Sequence, residues 1–373
     1  MNTYHLIPKS NLKLIQLLRG IASLLVVLMH ATGNLKEIAG GNLLGGFFSF
    51  GGAGVDIFFV LSGFIITYTS NIFSEKKSAF SLFLKRRFVR IFPVYWIICT
   101  VFLAVQIALP SFYRSHYDFT VSNLFNTYFL LPGHQMINGV SWSLAYEIFF
   151  YILFSMAFLI RQKTVIVLFS ISYLSLIIIF TLFNHNLEGA NKWVSFFFYP
   201  MITEFFMGIL AALVIPKLPA SYALPFLIIG SCTFIGFGIY SNIWGVSVPG
   251  QFGNVVPVFG YFGRVVLFGI LSFFIIVGMV RYELSRSINL HSIFILMGQA
   301  SYSLYLIHLP MLAAGLKIIT MLFKDNMPLI YLGVTILIFG ICLLSIYFFK
   351  FVEKPLIDEL NKRLKAKKYL KEI

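Results

Sequence analysis

Long apolar runs recur along the whole chain, separated by short polar segments. Each run is about 20 residues long, which is what an α-helix needs to cross the hydrocarbon core of a bilayer. The runs lack the apolar–polar alternation of barrel strands, so helical spans are predicted. Ten such windows can be placed, at residues 12–32, 47–69, 91–109, 140–160, 165–183, 194–215, 222–240, 259–280, 294–316 and 329–349.

The composition agrees with this pattern. Of 373 residues, 59% are hydrophobic and only 11% are charged, and the mean hydropathy is +0.89. Such a chain has no soluble core, because its apolar surface faces lipid or packs helix against helix. The sequence therefore predicts an all-α polytopic membrane bundle of about ten transmembrane helices.

The basic residues predict the orientation of this bundle. Most of the 28 Lys and Arg residues fall on one side if the N-terminus is cytoplasmic, and an even number of spans returns the C-terminus to the cytoplasm. The net charge of +15 then needs no nucleic-acid partner. The basic tail at residues 356–373 is most simply a contact with anionic membrane lipids.

Cysteines and repeats add little to this picture. Cys99, Cys232 and Cys342 all fall within apolar windows, and no disulfide framework or metal-ligand spacing is visible. No metal is therefore expected. No internal repeat is found either, so residues 1–355 are interpreted as one membrane domain followed by the tail.

The first window carries two polar residues, Arg19 and His30. They are eleven positions apart, which on a helix is ~16 Å of rise and only about 20° of rotation, so both face one side. Ionisable groups inside a membrane helix indicate a functional site by default. The alternative is that His30 lies at the outer interface while Arg19 extends to the inner one.

A glycine-rich segment precedes the second window and leads into Asp56. Gly51 and Gly54 permit close backbone approach, and an acid near a helix N-terminus is favoured by the helix dipole. Because this span runs inward, Asp56 is expected near the outer face, on the same side as His30. Two interpretations remain open: an acid that orients or charges His30, and a capping acid.

A basic segment precedes the third window. In it, Arg87 and Arg90 form an i, i+3 pair on one helical face. Guanidinium groups bind phosphate bidentately, so this pair suits a phosphate-bearing ligand. An anchor on the cytoplasmic leaflet explains the same charges equally well.

Other ionisable residues lie inside or beside later windows. Glu147 enters the fourth window close to its outer start, at a depth near that of His30, and His308 ends a polar stripe in the ninth. Glu204 lies deeper in the sixth window, where Arg264 is its expected structural partner. Glu353 is interpreted as marking the end of the tenth span.

These segments together resemble the acyltransferase-3 family of bacterial membrane proteins, across nearly the full chain. The resemblance rests on five motifs in the family's order. They are the arginine, ten residues, histidine motif of Arg19 and His30, GVDIFFVLSGF at residues 54–64, the pair Arg87 and Arg90, SWSLAYE ending at Glu147, and SYSLYLIH ending at His308. Many members carry a further extracytoplasmic domain at the C-terminus. This sequence stops shortly after its tenth predicted span, so the resemblance is expected to be to stand-alone members.

The resemblance implies an O-acyltransferase of the bacterial inner membrane, with acyl-CoA, most often acetyl-CoA, as donor and an extracytoplasmic saccharide as acceptor. His30 would be catalytic, with Asp56 or Glu147 stabilising its imidazolium. The donor-binding residues would be Arg19, Ser62, Arg87, Arg90 and His308. The competing class is a transporter or flippase for a lipid-linked saccharide, although such proteins typically show repeated halves. A homo-oligomer is compatible with the sequence, which leaves the oligomeric state open.

Overall fold

A computed structural model describes residues 12–70, 78–109, 119–132, 136–160, 162–183, 191–243, 260–324 and 326–369. Within these ranges the chain forms helices and no strand. The α-helices are α1 (Lys13–Ala39), α2 (Gly54–Thr69), α3 (Ser78–Ala108), α4 (Val121–Phe129), α5 (Trp142–Met156), α6 (Lys163–Phe183), α7 (Lys192–Phe197), α8 (Ile202–Val214), α9 (Ala223–Ile243), α10 (Gly260–Arg264), α11 (Ile270–Ser285), α12 (Ser292–Gln299), α13 (Ser301–Phe323), α14 (Met327–Phe348) and α15 (Lys354–Tyr369). Short 3₁₀ segments cover Leu43–Ala53 and Gly139–Ser141, and π-helical turns cover Val265–Gly269 and Phe349–Glu353.

The predicted number of spans is confirmed. Ten helical stretches of the described chain are long and apolar enough to cross a membrane. Some helices depart from their predicted windows. The third span runs over Phe80–Ala108, so it begins well before residue 91, and the ninth runs over Ser301–Phe323 because the helix breaks after Gln299. The tenth runs over Met327–Leu364, well past residue 349.

The chain divides into two compact units. Unit 1 comprises Met1–Gly33, Asn42–Ile72 and Gln162–Gln299, and unit 2 comprises Asn34–Gly41, Phe73–Arg161 and Ala300–Ile373. The interpretation of residues 1–355 as one membrane domain followed by a tail remains a prediction.

Two glycines bring α2 and α8 of unit 1 into backbone contact. A Cβ atom at Gly63 would lie 2.0 Å from the carbonyl oxygen of Phe205, and one at Gly208 would lie 2.1 Å from that of Val60. Small residues at helix crossings allow this close packing inside a bilayer, where no hydrophobic effect drives helices together. The contact places the first turn of α8 against the middle of α2.

The same device holds the glycine segment against α1. A Cβ atom at Gly51 would lie 2.1 Å from the carbonyl oxygen of Leu25, and one at Gly54 would lie 2.3 Å from that of Ala22. The predicted close backbone approach of these glycines is therefore confirmed. The segment packs on the stretch of α1 between Arg19 and His30.

The N-terminus of α1 is capped by a carboxylate from α11. Glu283 accepts the backbone N–H groups of Lys13 at 2.6 Å and Leu14 at 2.9 Å. Helix N-termini leave backbone N–H donors unsatisfied and favour negative charge. This contact therefore satisfies two of those donors and stabilises the start of α1.

In unit 2, the hydroxyl groups of α13 bind neighbouring segments. The hydroxyl of Tyr302 donates to the carbonyl oxygen of Ile91 at 2.9 Å, and that of Tyr305 donates to Val140 at 3.1 Å. Ser303 donates to the carboxylate of Glu353. Most of the polar stripe predicted on the ninth span therefore holds helices together.

The expectation that Glu353 marks a helix end is wrong. The helix continues through the π-helical turn Phe349–Glu353 into α15, and the carboxylate is buried against Ser303. The extra residue of a π turn changes the helical register, which allows a residue near the end of an apolar run to point inward.

We predict that Gly63→Ala lowers the free energy of unfolding by about 1–3 kcal/mol, because the new methyl group requires the α2–α8 backbones to separate. Thermal unfolding in detergent measures this change. Gly236→Ala on α9 is the matched control: apart from its own helix backbone, no described atom lies within 4 Å of its Cβ position, so stability should be unchanged or raised. Equal effects of the two substitutions would contradict the packing argument.

Candidate functional site

His30 lies on α1 and is buried. Its Nδ1 atom is 3.0 Å from the carbonyl oxygen of Val26, one turn earlier on the same helix. A carbonyl oxygen only accepts hydrogen bonds, so Nδ1 carries the proton and the neutral ring has its lone pair on Nε2. This tautomer suits a proton acceptor.

Arg19 lies on the same uninterrupted helix as His30. Their spacing of eleven residues on one continuous helix therefore places both residues on the same face of α1, as predicted. Arg19 is half-buried, and its Nη1 donates to the side-chain oxygen of Gln16 at 3.4 Å. That bond is long and constrains the guanidinium weakly.

Asp56 forms a buried ion pair with Arg264. The carboxylate is 0% exposed and the arginine 2%. Nη2 of Arg264 lies 2.6 Å from Oδ2, and Nε lies 3.1 Å from both Oδ1 and Oδ2. Nη2 also donates to the carbonyl oxygen of Gly52 at 2.9 Å, so the arginine ties the glycine segment to α2.

This pair corrects two expectations from the sequence. Asp56 was interpreted either as the partner of His30 or as a helix cap, whereas its described hydrogen bonds go to Arg264. Arg264 was expected to pair with Glu204, which instead lies beside the pair without forming the salt bridge. Asp56 and Arg264 are 208 positions apart, and only packing brings them together.

Ser62 lies further along α2 and is half-buried. Its predicted role in donor binding remains a prediction.

In unit 2, two aromatic rings hold the guanidinium of Arg87. Its central carbon lies 5.3 Å from the ring centroids of both Phe83 and Tyr151. The hydroxyl of Tyr151 donates to Glu147, and Arg90 also interacts electrostatically with this tyrosine. Cation–π contacts with two rings restrict the guanidinium without using its in-plane N–H donors.

The structure therefore joins residues that the sequence had separated. Glu147 was expected near the outer face, and Arg87 with Arg90 at the cytoplasmic mouth. Because α3 begins at Ser78, the arginine pair lies inside the helix, and Glu147 belongs to the same cluster. The i, i+4 spacings of Phe83 with Arg87 and of Glu147 with Tyr151 indicate contacts within each helix, whereas nothing local in the sequence indicates that α3 and α5 meet.

His308 lies on α13 and is fully buried. Its Nδ1 atom is 3.0 Å from the carbonyl oxygen of Leu304. The two motif histidines thus share one local arrangement: Nδ1 of each is bonded to the carbonyl oxygen four residues earlier. In a neutral ring, this leaves the lone pair on Nε2. The predicted role of His308 in donor binding remains a prediction.

Among the described residues, no group of three or more His, Cys, Asp or Glu side chains could hold a metal ion.

Comparisons with known proteins point to one family. The family model Acyl_transf_3, described as an acyltransferase domain, matches residues 12–347. The chain is 26% identical over 279 residues to the exopolysaccharide production protein ExoZ of Rhizobium meliloti (strain 1021), covering 70% of this chain and 76% of that protein. It is 26% identical over 322 residues to the O-acetyltransferase OatA of Staphylococcus aureus (strain NCTC 8325 / PS 47), covering 79% of this chain but only 49% of that protein. No solved structure gives a significant match.

We predict that Arg264→Gln destabilises the protein by about 3–5 kcal/mol, because it leaves the Asp56 carboxylate buried and uncompensated. The unfolding temperature in detergent measures the loss. Arg363→Gln is the matched control, since its ion pair with Glu359 is exposed to solvent and its loss should cause no measurable change. An Arg264→Gln protein as stable as the parent would remove the ion pair from this account.

Proposed function

Because the chain belongs to the acyltransferase-3 family, it is a multi-pass membrane acyltransferase, and we propose that it transfers an acetyl group from acetyl-CoA to a hydroxyl of a cell-surface saccharide. The observation that carries the proposal is the buried His30, whose Nδ1 lies 3.0 Å from the carbonyl oxygen of Val26, inside the matched domain. The names of the two relatives, an O-acetyltransferase and an exopolysaccharide production protein, support acetyl as the group and saccharide as the acceptor.

In the proposed reaction, Nε2 of His30 accepts the proton of the acceptor hydroxyl. The oxygen attacks the thioester carbonyl, an O–acyl bond forms and the C–S bond breaks. The imidazolium then returns the proton to the CoA thiolate, so the reaction is balanced without a further reactant. The alternative route, through a transient acyl-imidazole on His30, has the same overall balance.

Arg87 and Arg90 are proposed to bind the phosphates of the donor. Two contacts support this role: the rings of Phe83 and Tyr151 fix Arg87, and Glu147 holds Tyr151 through a hydrogen bond. A guanidinium fixed in advance loses less side-chain entropy when it binds phosphate, which favours affinity. We therefore assign Glu147 to the positioning of Arg87.

The protein is proposed to lie in the bacterial cytoplasmic membrane with both termini in the cytoplasm. The distribution of Lys and Arg supports this orientation. It would place the basic end of α15 on the side where anionic lipids attract it and where acyl-CoA is made.

We predict that His30→Ala lowers the rate of acetyl transfer by roughly 10² to 10⁴-fold, as the loss of a general base does, while the protein still inserts and folds. Acetylated acceptor is measured with purified protein in proteoliposomes. His291→Ala is the control, because His291 is an exposed histidine and its loss should leave the rate unchanged. Near-normal transfer by His30→Ala would remove this residue from the mechanism.

We further predict that replacing Arg87 and Arg90 by Gln raises the KM for acetyl-CoA at least about tenfold, because charge-assisted bonds to phosphate are lost. High donor concentration should restore most of the rate, since uniform binding loss affects KM and not kcat.

The matched control for this double variant replaces Lys85 and Arg86 by Gln. These two residues are exposed neighbours on α3, so the same charge is removed from the same helix. Equal KM values in the two double variants would leave Arg87 and Arg90 as topology anchors.

A further inference from the structure

Glu204 is the buried acid of unit 1 to which neither the family motifs nor the proposed reaction gives a role. It lies in the first turn of α8 and is 0% exposed. Neither of its carboxyl oxygens receives a hydrogen bond from a described residue. Yet its carboxyl group lies within hydrogen-bonding reach of that of Asp56.

Two neighbouring carboxylates cannot bond to each other, since ionised carboxylates only accept hydrogen bonds. Burying both in ionised form beside a single guanidinium would leave one negative charge uncompensated, which costs several kcal/mol for a buried ion. One proton removes this charge and turns the repulsion between two oxygens into a short, charge-assisted hydrogen bond.

The geometry indicates which acid holds the proton. Both oxygens of Asp56 accept hydrogen bonds from Arg264, so Asp56 is the ionised member. Glu204 has no such donor, and its side chain rests against the π-helical turn Val265–Gly269, where a Cβ atom at Gly269 would lie 3.0 Å from its Cγ and Oε1. Besides Asp56 and Glu204, Tyr199 also interacts electrostatically with Arg264.

We infer that Glu204 is a neutral carboxylic acid that donates its proton to Asp56, and that it acts as a positioning residue for the Asp56–Arg264 pair. The hydrogen bond holds the Asp56 carboxylate in the rotamer that binds Arg264 at two points. Arg264 then reaches Gly52, and the adjoining glycines pack on α1 between Arg19 and His30.

This assignment of the proton does not depend on acyl transfer. Only its consequence for His30 rests on the proposed function. The two can therefore fail separately, and the experiment measures them separately.

The direct test is infrared spectroscopy of the purified protein in a maltoside detergent, which carries no ester carbonyl. The difference spectrum between the parent and Glu204→Gln should contain the carbonyl-stretch band of one protonated carboxylic acid. Glu283→Gln is the matched control, because Glu283 accepts two backbone N–H groups and should contribute no such band. The absence of the band from the Glu204→Gln difference spectrum would overturn the inference.

A second measurement compares Glu204→Gln with Glu204→Ala. The Gln side chain is neutral and can still donate to Asp56, so its unfolding temperature should match the parent and its kcat should stay within about threefold. Glu204→Ala removes the donor, so both quantities should fall. If Gln and Ala cause equal losses, Glu204 is needed in its charged form and the inference is wrong. If the parent itself transfers no acetyl group, the unfolding temperatures and the infrared band still decide the proton, and only the proposed function fails.

Discussion

The buried ion pair of Asp56 and Arg264 is the interaction on which the rest of unit 1 depends. Neither side chain reaches water, so each charge is tolerated only because the other is present. The pair joins α2 to the residue that immediately precedes the π-helical turn Val265–Gly269, and Nη2 of Arg264 also donates to the carbonyl oxygen of Gly52. Because three segments meet at one guanidinium, the glycine segment cannot move relative to α2 without breaking a charged contact. The stretch of α1 between Arg19 and His30 is packed on that segment.

In unit 2 an arginine is also held in place, but by aromatic rings and not by a carboxylate. Arg87 is held between two rings, and the tyrosine of that pair is held in turn by Glu147. In both units, therefore, an arginine is held by neighbouring side chains before any ligand binds. The charge of Arg264 is compensated by Asp56. A fixed guanidinium such as that of Arg87 suits phosphate binding, because it needs no reorganisation when the ligand arrives. Each π-helical turn also adjoins a buried charged residue, Arg264 in unit 1 and Glu353 in unit 2, as expected where a change of helical register serves a site.

The sequence predicted what depends on local composition. The length of the apolar runs predicted ten spans, and the spacing of Arg19 and His30 predicted that they share one helix. The glycines before α2 correctly predicted close backbone contact. Partners across the fold could not be predicted in this way. Several acids lie within apolar windows, and nothing local indicates that Arg264 binds Asp56 and not Glu204. The predicted helix ends were wrong where tertiary packing determines them. Helix α3 extends through its basic segment, and the helix predicted to end at Glu353 continues through the π turn into α15.

The central claim, that this membrane protein consumes acyl-CoA to acylate a saccharide, is tested most directly by following both products at once. Membrane vesicles that contain the protein and native acceptors are given acetyl-CoA labelled in its acetyl group. Free CoA thiol and ester-linked label in the saccharide fraction should then appear in equal amounts and at equal rates. Saccharide that crosses the vesicle membrane without thiol release and without ester-linked label would contradict the account and indicate a transporter.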